Sequence, residues 1–312
     1  MIKLKIINFL RKILFLPFHI IQYLESFYTK ILQQLDPNGS ECYKEELYQK
    51  KIDSKIGSNL KIKKNYFKSD HEYKSKIYDY DNPIKFYTPT KISSFRAASL
   101  FIKEPYTLEW IENNGGKDIV FLDIGANIGT YSLYYASVFN GQTFSFEPAY
   151  RNLDLLVKNI NLNKFNDFIT VIPNPIYKKV SNKHFTQSKN IAGLAEATYG
   201  KEFLGNILKK KTKLIYNFKT LSLTIDKIFK LIDQPSQSLI KIDVDGNEIE
   251  ILMGAKEFIN GKDCKSIMIE TREETRQDVK IILEEAGFEN KTTNLPSNTA
   301  TANEYWHKNS LE

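Results

Sequence analysis

Residues 120–133 read VFLDIGANIGTYSL. An apolar run ends in the acid Asp123, a short glycine turn follows, and a helical pattern starts at Ile128. Strand, tight turn and helix start in this order are the opening of a βαβ unit. Working outward, strand-like runs recur at 143–147 (TFSFE), 168–173 (FITVIP), 238–244 (SLIKIDV) and 265–271 (KSIMIET). Helical patterns occupy 128–139, 149–162, 224–232, 247–259 and 275–286. Near-continuous apolar strands separated by helices predict a mostly parallel sheet covered on both faces. The fold class is doubly wound α/β, with ligands at the carboxyl ends of the strands.

Upstream, SLFIKEPYTLEWIENN (99–114) reads as a helix closed by Gly115-Gly116, and KIYDYDNPIKFYTP (76–89) as a hairpin about Asn82-Pro83. Residues 37–84 form a polar, lysine-rich connector with some helix that includes the start of this hairpin, and 85–312 the α/β domain. Residues 1–36 form an amphipathic helix whose longest uncharged run, Ile13 to Leu24, falls short of the ~20 residues that span a bilayer. This helix has two readings. It packs on the protein's own core or on a partner subunit, or it lies in a membrane interface with Lys3, Lys5, Arg11 and Lys12 near anionic lipid.

An apolar fraction of 42% and a charged fraction of 26% over 312 residues are those of a globular chain. The net charge of +7 comes without zinc-finger spacing, RNP-like motif or arginine cluster, so scattered surface lysines are expected rather than a nucleic-acid partner. Cys42 and Cys264 stand far apart and make no disulfide framework; a reducing, cytoplasmic setting is expected, on the inner membrane face if the first helix binds lipid. Four scattered histidines offer no histidine-based metal site.

The turn is G-x-x-x-G, formed by Gly125, Ala126, Asn127, Ile128 and Gly129, not the G-x-G-x-x-G of a dinucleotide site. Gly125 lets the chain turn sharply beside a ligand, Gly129 permits close helix–strand packing, and Asn127 tolerates unusual backbone angles while adding a polar side chain. Asp123 would repel a diphosphate but suits a cation. Glu147, about 20 residues beyond the turn, stands where an acid accepts hydrogen bonds from ribose hydroxyls. A nucleoside with a cationic tail and no phosphates, S-adenosylmethionine, matches both acids; the competing reading is that each acid caps the helix after it.

In KIDVDGNE, Asp243 ends a strand, and Asp245 and Glu248 enter the next helix. Methyl transfer from a sulfonium is an in-line displacement, and a positioned carboxylate can take the proton of a hydroxyl acceptor. Asp243 and Asp245 are the leading candidates, with Glu270 in reserve. Complementing a helix dipole, holding a divalent cation and catalysis by proximity alone are the alternatives; no metal site is assigned. Asn174 contacts the adenine edge or serves a turn before Pro175. Lys103 and Glu104, on the upstream helix, close over the methionine end or form a surface ion pair. The insertion 180–200 is expected to cover the acceptor; His184 within it reads as a surface residue, while Tyr177, Phe185 and Tyr199 stack on a sugar or pack the lid.

DIGANIGTYSL, FEP, LIKIDVDGNEIEILMGA and IMIE, in order, with KEPYTLEWI upstream, resemble the successive motifs of FkbM-type methyltransferases over roughly residues 85–290. That resemblance implies a class I methyltransferase (Rossmann-like) fold, S-adenosylmethionine as methyl donor, and O-methylation of a sugar, glycan or related small molecule. Asp245 stands where the family commonly has Glu, Asn247 where a small residue is common, and Asn174-Pro175 where Ala-Leu is common. These departures bear on the acceptor pocket. A nicotinamide-dependent oxidoreductase and a catalytically inactive, membrane-associated binding module are the alternatives. The sequence assigns no oligomeric state.

Overall fold

The computed structural model describes residues 60–61, 77–79, 82–188, 191–200, 216–232, 237–292 and 301–308. The chain divides into two compact units, Met1–Ile56 and Gly57–Glu312. The first, with the expected N-terminal helix and its membrane or subunit contact, lies outside the described residues. Among the described residues no helix is long and apolar enough to cross a membrane.

The strands are β1 (Leu60–Lys61), β2 (Lys85–Phe86), β3 (Ile119–Ile124), β4 (Thr143–Phe146), β5 (Ile169–Ile172), β6 (Asn182–Gln187), β7 (Ala197–Tyr199), β8 (Tyr216–Leu221), β9 (Gln237–Ile242), β10 (Cys264–Arg272), β11 (Phe288–Asn290) and β12 (Thr301–Lys308). The helices are α1 (Lys91–Ala98), α2 (Pro105–Asn114), α3 (Thr130–Phe139), α4 (Tyr150–Asn163), α5 (Ile225–Phe229), α6 (Glu248–Met253), α7 (Lys256–Asn260) and α8 (Arg276–Glu285).

The main sheet has seven strands in the order β11-β12-β10-β9-β3-β4-β5. β3 pairs in parallel with both β4 and β9, and β10 pairs in parallel with β9. β12 runs antiparallel between β10 and β11. The five strands read from apolar runs are thus the parallel strands β3, β4, β5, β9 and β10. Alternation splits their side chains between two cores. Phe121, Leu239 and Met268 face the layer that holds Leu108, Ile111 and Leu133. Leu122, Ile240, Ile242 and Ile267 face the layer of Ile225, Ile251, Val279 and Leu283. A separate three-stranded antiparallel sheet, β7-β6-β8, is built largely from the insertion.

Four local expectations are corrected. Among the described residues no strand pairs across Asn82-Pro83: Asn82 N–H donates to the Asp79 carbonyl (3.3 Å), and β2 pairs with the distant β1. The segment 99–114 is helical only from Pro105, because proline fits the first helical position and disfavours helix in the residue before it. Lys103 and Glu104 therefore sit on the approach to α2 and not on a helix. The helix after the glycine turn starts at Thr130, with Ile128 fully buried in the turn. The helix expected over 247–259 breaks at Gly254, where a Cβ would come within 2.2 Å of the Tyr177 carbonyl oxygen.

Candidate active site

Strand register assembles the charged residues. Asp123 on β3 pairs with Ser145 on β4 and Lys241 on β9, and Lys241 pairs with Met268 on β10. Side chains two residues apart share a face. Asp123, Lys241, Asp243 and Glu270 therefore lie on one face of the sheet, at its carboxyl end. Asp243 and Glu270 each stand one residue beyond the Ile242–Ile269 pair, so two neighbouring strands deliver two carboxylates side by side.

Asp123 is fully buried. Its Oδ2 accepts from Ser132 Oγ at 2.6 Å, and Ser132 Oγ in turn accepts from Ser145 Oγ at 2.7 Å. Its Oδ1 has no hydrogen-bond partner among the described residues. Burial raises its pKa, against the pull of the Lys241 ammonium. Lys241, 1% exposed, donates to Asp243 Oδ2 at 2.7 Å and lies 4.7 Å from the centroid of the Tyr131 ring. The Tyr131 hydroxyl donates to Glu104 Oε2 at 2.5 Å, and Lys103 pairs with the other Glu104 oxygen. The Lys103–Glu104 pair is thus joined to the charged corner through Tyr131.

Burial would raise Asp243, but the Lys241 charge and hydrogen bond hold it below the ordinary carboxylate value. Glu270 moves the other way. Burial and then the neighbouring Asp243 charge push it up to about 7. The pair is driven apart by its surroundings, as in acid–base sites that must hold one carboxylate charged and one near neutrality.

Beside this corner opens a cleft of about 660 Å³, its open mouth included, lined by Gly125, Asn127, Glu147, Asp243 and Asp245 among others. Gly125 has φ +89°, and a Cβ there would lie 2.0 Å from the Asp243 carbonyl oxygen, so the turn and the β9 tip touch through backbone. Ala126 N–H donates to the Phe146 carbonyl at 3.1 Å, tying the turn to β4. Asn127 occupies a left-handed conformation (φ 52°), which asparagine tolerates better than most side chains. Its N–H donates to Glu147 Oε2 at 2.8 Å, its Nδ2 to the Leu194 carbonyl at 3.3 Å, and its buried Oδ1 has no partner among the described residues. Gly129 makes room for Leu156 of α4, which a Cβ would approach to 2.6 Å; the expected helix–strand contact is a helix–helix contact.

Glu147 is 5% exposed and joins two elements. It accepts from Asn127 N–H and, through Oε1, from Ala149 N–H at 2.7 Å. Burial outweighs both bonds and pushes its pKa up to about 7. Asn174 is half-buried at the cleft, with Nδ2 donating to the Leu221 carbonyl at 3.0 Å.

Asp245 is engaged elsewhere. Its Oδ2 accepts from the N–H groups of Glu196 (2.6 Å) and Ala197 (3.0 Å), and Asn247 Nδ2 donates to the Tyr199 carbonyl at 3.0 Å. Asn152 of α4 bonds Gly193 N–H (2.7 Å) and the Leu194 carbonyl (2.9 Å), and Thr90 Oγ1 donates to the Ala192 carbonyl (2.7 Å). The segment 192–199 is a strap pinned along the cleft from several sides, and Leu194, Ala197 and Tyr199 line the cavity with Glu147. Tyr177, Phe185 and Tyr199 are buried against one another and Ala149. They pack the lid. Glu248, pushed up to about 7 by burial, accepts from Gly246 N–H at 2.9 Å.

The residues fit a cationic nucleoside. Glu147 offers a buried carboxylate at the cleft wall, and unpartnered oxygens remain on Asp123 and Asn127. The corner sets the acids Glu104, Asp123 and Asp243 against the buried Lys241. Sequence reasoning missed Lys241, Tyr131, Ser132 and Asn152. The signal for Lys241 was present: it is the charge inside the apolar run of SLIKIDV. Among the described residues no group of three or more His, Cys, Asp and Glu could hold a metal ion.

The chain is 24% identical over 229 residues to methyltransferase sdnD of Sordaria araneosa, covering 66% of this chain and 86% of that protein. A crystal structure of methyltransferase FkbM from Methylobacillus flagellatus KT is 19% identical, with a TM-score of 0.42 over 61% of this chain and 44% of that one. An rRNA methylase from Streptococcus thermophilus is 9% identical, with a TM-score of 0.41 over 66% of this chain and 98% of that one. Residues 123–289, just over half of the sequence and spanning β3 to β11, match the methyltransferase FkbM domain. This match sets aside the oxidoreductase and the inactive module. With the glycine turn, the two strand-tip acids and the doubly wound sheet in place, the chain belongs to the FkbM methyltransferase family, and it is a class I methyltransferase that uses S-adenosylmethionine.

Proposed function

We propose that this enzyme methylates a hydroxyl group of a sugar, glycan or related small molecule, with Glu270 as the proton acceptor and Asp243 as the anion that orients the acceptor. The observation that carries the reading is the pair of strand-tip carboxylates with opposite tendencies. A hydroxyl is a weak nucleophile at neutral pH, and a base titrating near 7 is matched to removing its proton during attack. Asp243, ion-paired with Lys241, is too weak a base for that task but a good hydrogen-bond acceptor. The strap contacts of Asp245 leave it a structural part of the cleft wall.

S-adenosylmethionine, when bound, supplies an electrophilic methyl group on a cationic sulfur. Glu147 would accept hydrogen bonds from the ribose hydroxyls, Gly125, Ala126, Asn127 and Gly129 would shape the turn beside the cofactor, and Asn174, at the cleft, would meet the adenine edge. Glu104 and Asp123 contribute negative charge that favours a cation. Glu270 would take the proton of the acceptor hydroxyl as its oxygen bonds to the methyl carbon and the carbon–sulfur bond breaks, with S-adenosylhomocysteine as the leaving group.

The test is a release assay for S-adenosylhomocysteine with panels of sugars, glycans, hydroxylated small molecules and RNA. Transfer to a hydroxyl, with Glu270→Gln lowering kcat at least 100-fold at pH 7, is expected. Transfer only to RNA bases or to amines rejects the proposal.

A further inference from the structure

Lys241 is out of place by the ordinary rules of a core. It sits in the middle of the sheet, between β3 and β10, at 1% exposure, where an apolar side chain of similar volume would carry no desolvation penalty. Its aliphatic stem does not explain it, since Met268 beside it fills the same layer. What distinguishes lysine is the ammonium, and among the described residues that group contacts the Tyr131 ring and Asp243 Oδ2. Tyr131 is itself fixed by Glu104. The Asp243 side chain remains about one-third exposed, so it is held on the core side and open on the other.

We propose that Lys241 is a positioning residue for methyl transfer, seated between Tyr131 and Asp243 so that the Asp243 carboxylate is held as an oriented anion beside Glu270. The proposal rests on the reading of Asp243 and Glu270 as the acceptor-binding pair. Two carboxylates on adjacent strand tips compete for one proton. Lys241 decides the competition: as pH falls the first proton goes to Glu270, and Asp243 keeps its charge. Other charges face Asp243 from every side. Arg96 of α1 and Lys103 before α2 act with Lys241. Asp123 of β3, Asp245 after β9 and Glu270 of β10 act against it.

The experiment titrates the ligand-free enzyme between pH 3 and 9 by carboxyl-carbon NMR. Aspartate and glutamate are labelled, and Asp243→Asn and Glu270→Gln assign the two signals. In the unmodified enzyme Asp243 titrates below the ordinary value of about 3.9. In Lys241→Met its midpoint rises by at least about one unit, and Lys241→Arg restores it. An Asp243 midpoint at or above the ordinary value in the unmodified enzyme overturns the proposal without any variant having to fold. An unchanged midpoint in folded Lys241→Met overturns it as well. Methyl transfer to the acceptor found in the release assay separates the two readings. If the Lys241→Met midpoint shifts while Asp243→Asn transfers at the unmodified rate, the acceptor-pair reading fails and the catalytic part of this proposal fails with it.

Discussion

The buried carboxylate of Glu147 makes cofactor affinity depend on pH in a way that can be worked out in advance. Its ordinary value of 4.5 is raised to about 7 because burial outweighs two backbone N–H donors. A group at 7 is about nine-tenths protonated at pH 6 and about one-tenth at pH 8. If ribose hydroxyls donate to the ionised form, the bound state holds Glu147 as an anion, and binding below pH 7 must expel a proton. Affinity for S-adenosylhomocysteine then rises about tenfold from pH 6 to pH 8, or about 1.4 kcal/mol. Stability of the ligand-free fold runs the opposite way. The folded state binds the extra proton between 4.5 and about 7, so this group's contribution is greatest at low pH and is lost as pH rises through that window. Calorimetry in buffers of different ionisation enthalpy measures both affinity and proton release. Glu147→Gln removes the titrating group but not the Glu270 and Glu248 carboxyls, which also titrate near 7. A slope that persists unchanged in Glu147→Gln, or no slope in the unmodified enzyme, refutes the assignment.

Gly125→Ala places a Cβ 2.0 Å from the Asp243 carbonyl oxygen at a φ of +89°. A loss on the order of 3 kcal/mol is expected, together with displaced Asp243; unchanged urea denaturation and S-adenosylhomocysteine affinity would show that the β9 tip yields freely. Asp245→Ala removes the acceptor of two strap N–H groups, and hydrogen exchange at Glu196 and Ala197 should accelerate while the parallel strands stay protected. Equal protection in both proteins would deny Asp245 its anchoring role. Ser132→Ala takes away the hydrogen bond to buried Asp123 and raises that carboxyl's pKa further, so across a pH series the variant should lose more stability at the alkaline end than at the acid end. Equal losses across the series would mean that Ser132 matters only for packing.

The sequence by itself determined the doubly wound framework and picked out the turn and second strand tip that line the cleft. An apolar strand followed by a glycine turn is a local pattern, and five such strands with helices between them leave few topologies. Gly125, Asn127 and Glu147 were legible because turn chemistry and the spacing to the second strand tip are set within one βαβ unit. Tertiary structure decided the rest. Lys241 became meaningful only when cross-strand register set it beside Asp123 and left Asp243 next to Glu270. The antiparallel insertion of β12 and the capture of the strap by Asp245 join residues tens of positions apart. Periodicity reports which face a residue occupies, but only the assembled sheet fixes which charges become neighbours, and how burial then divides the protons among them.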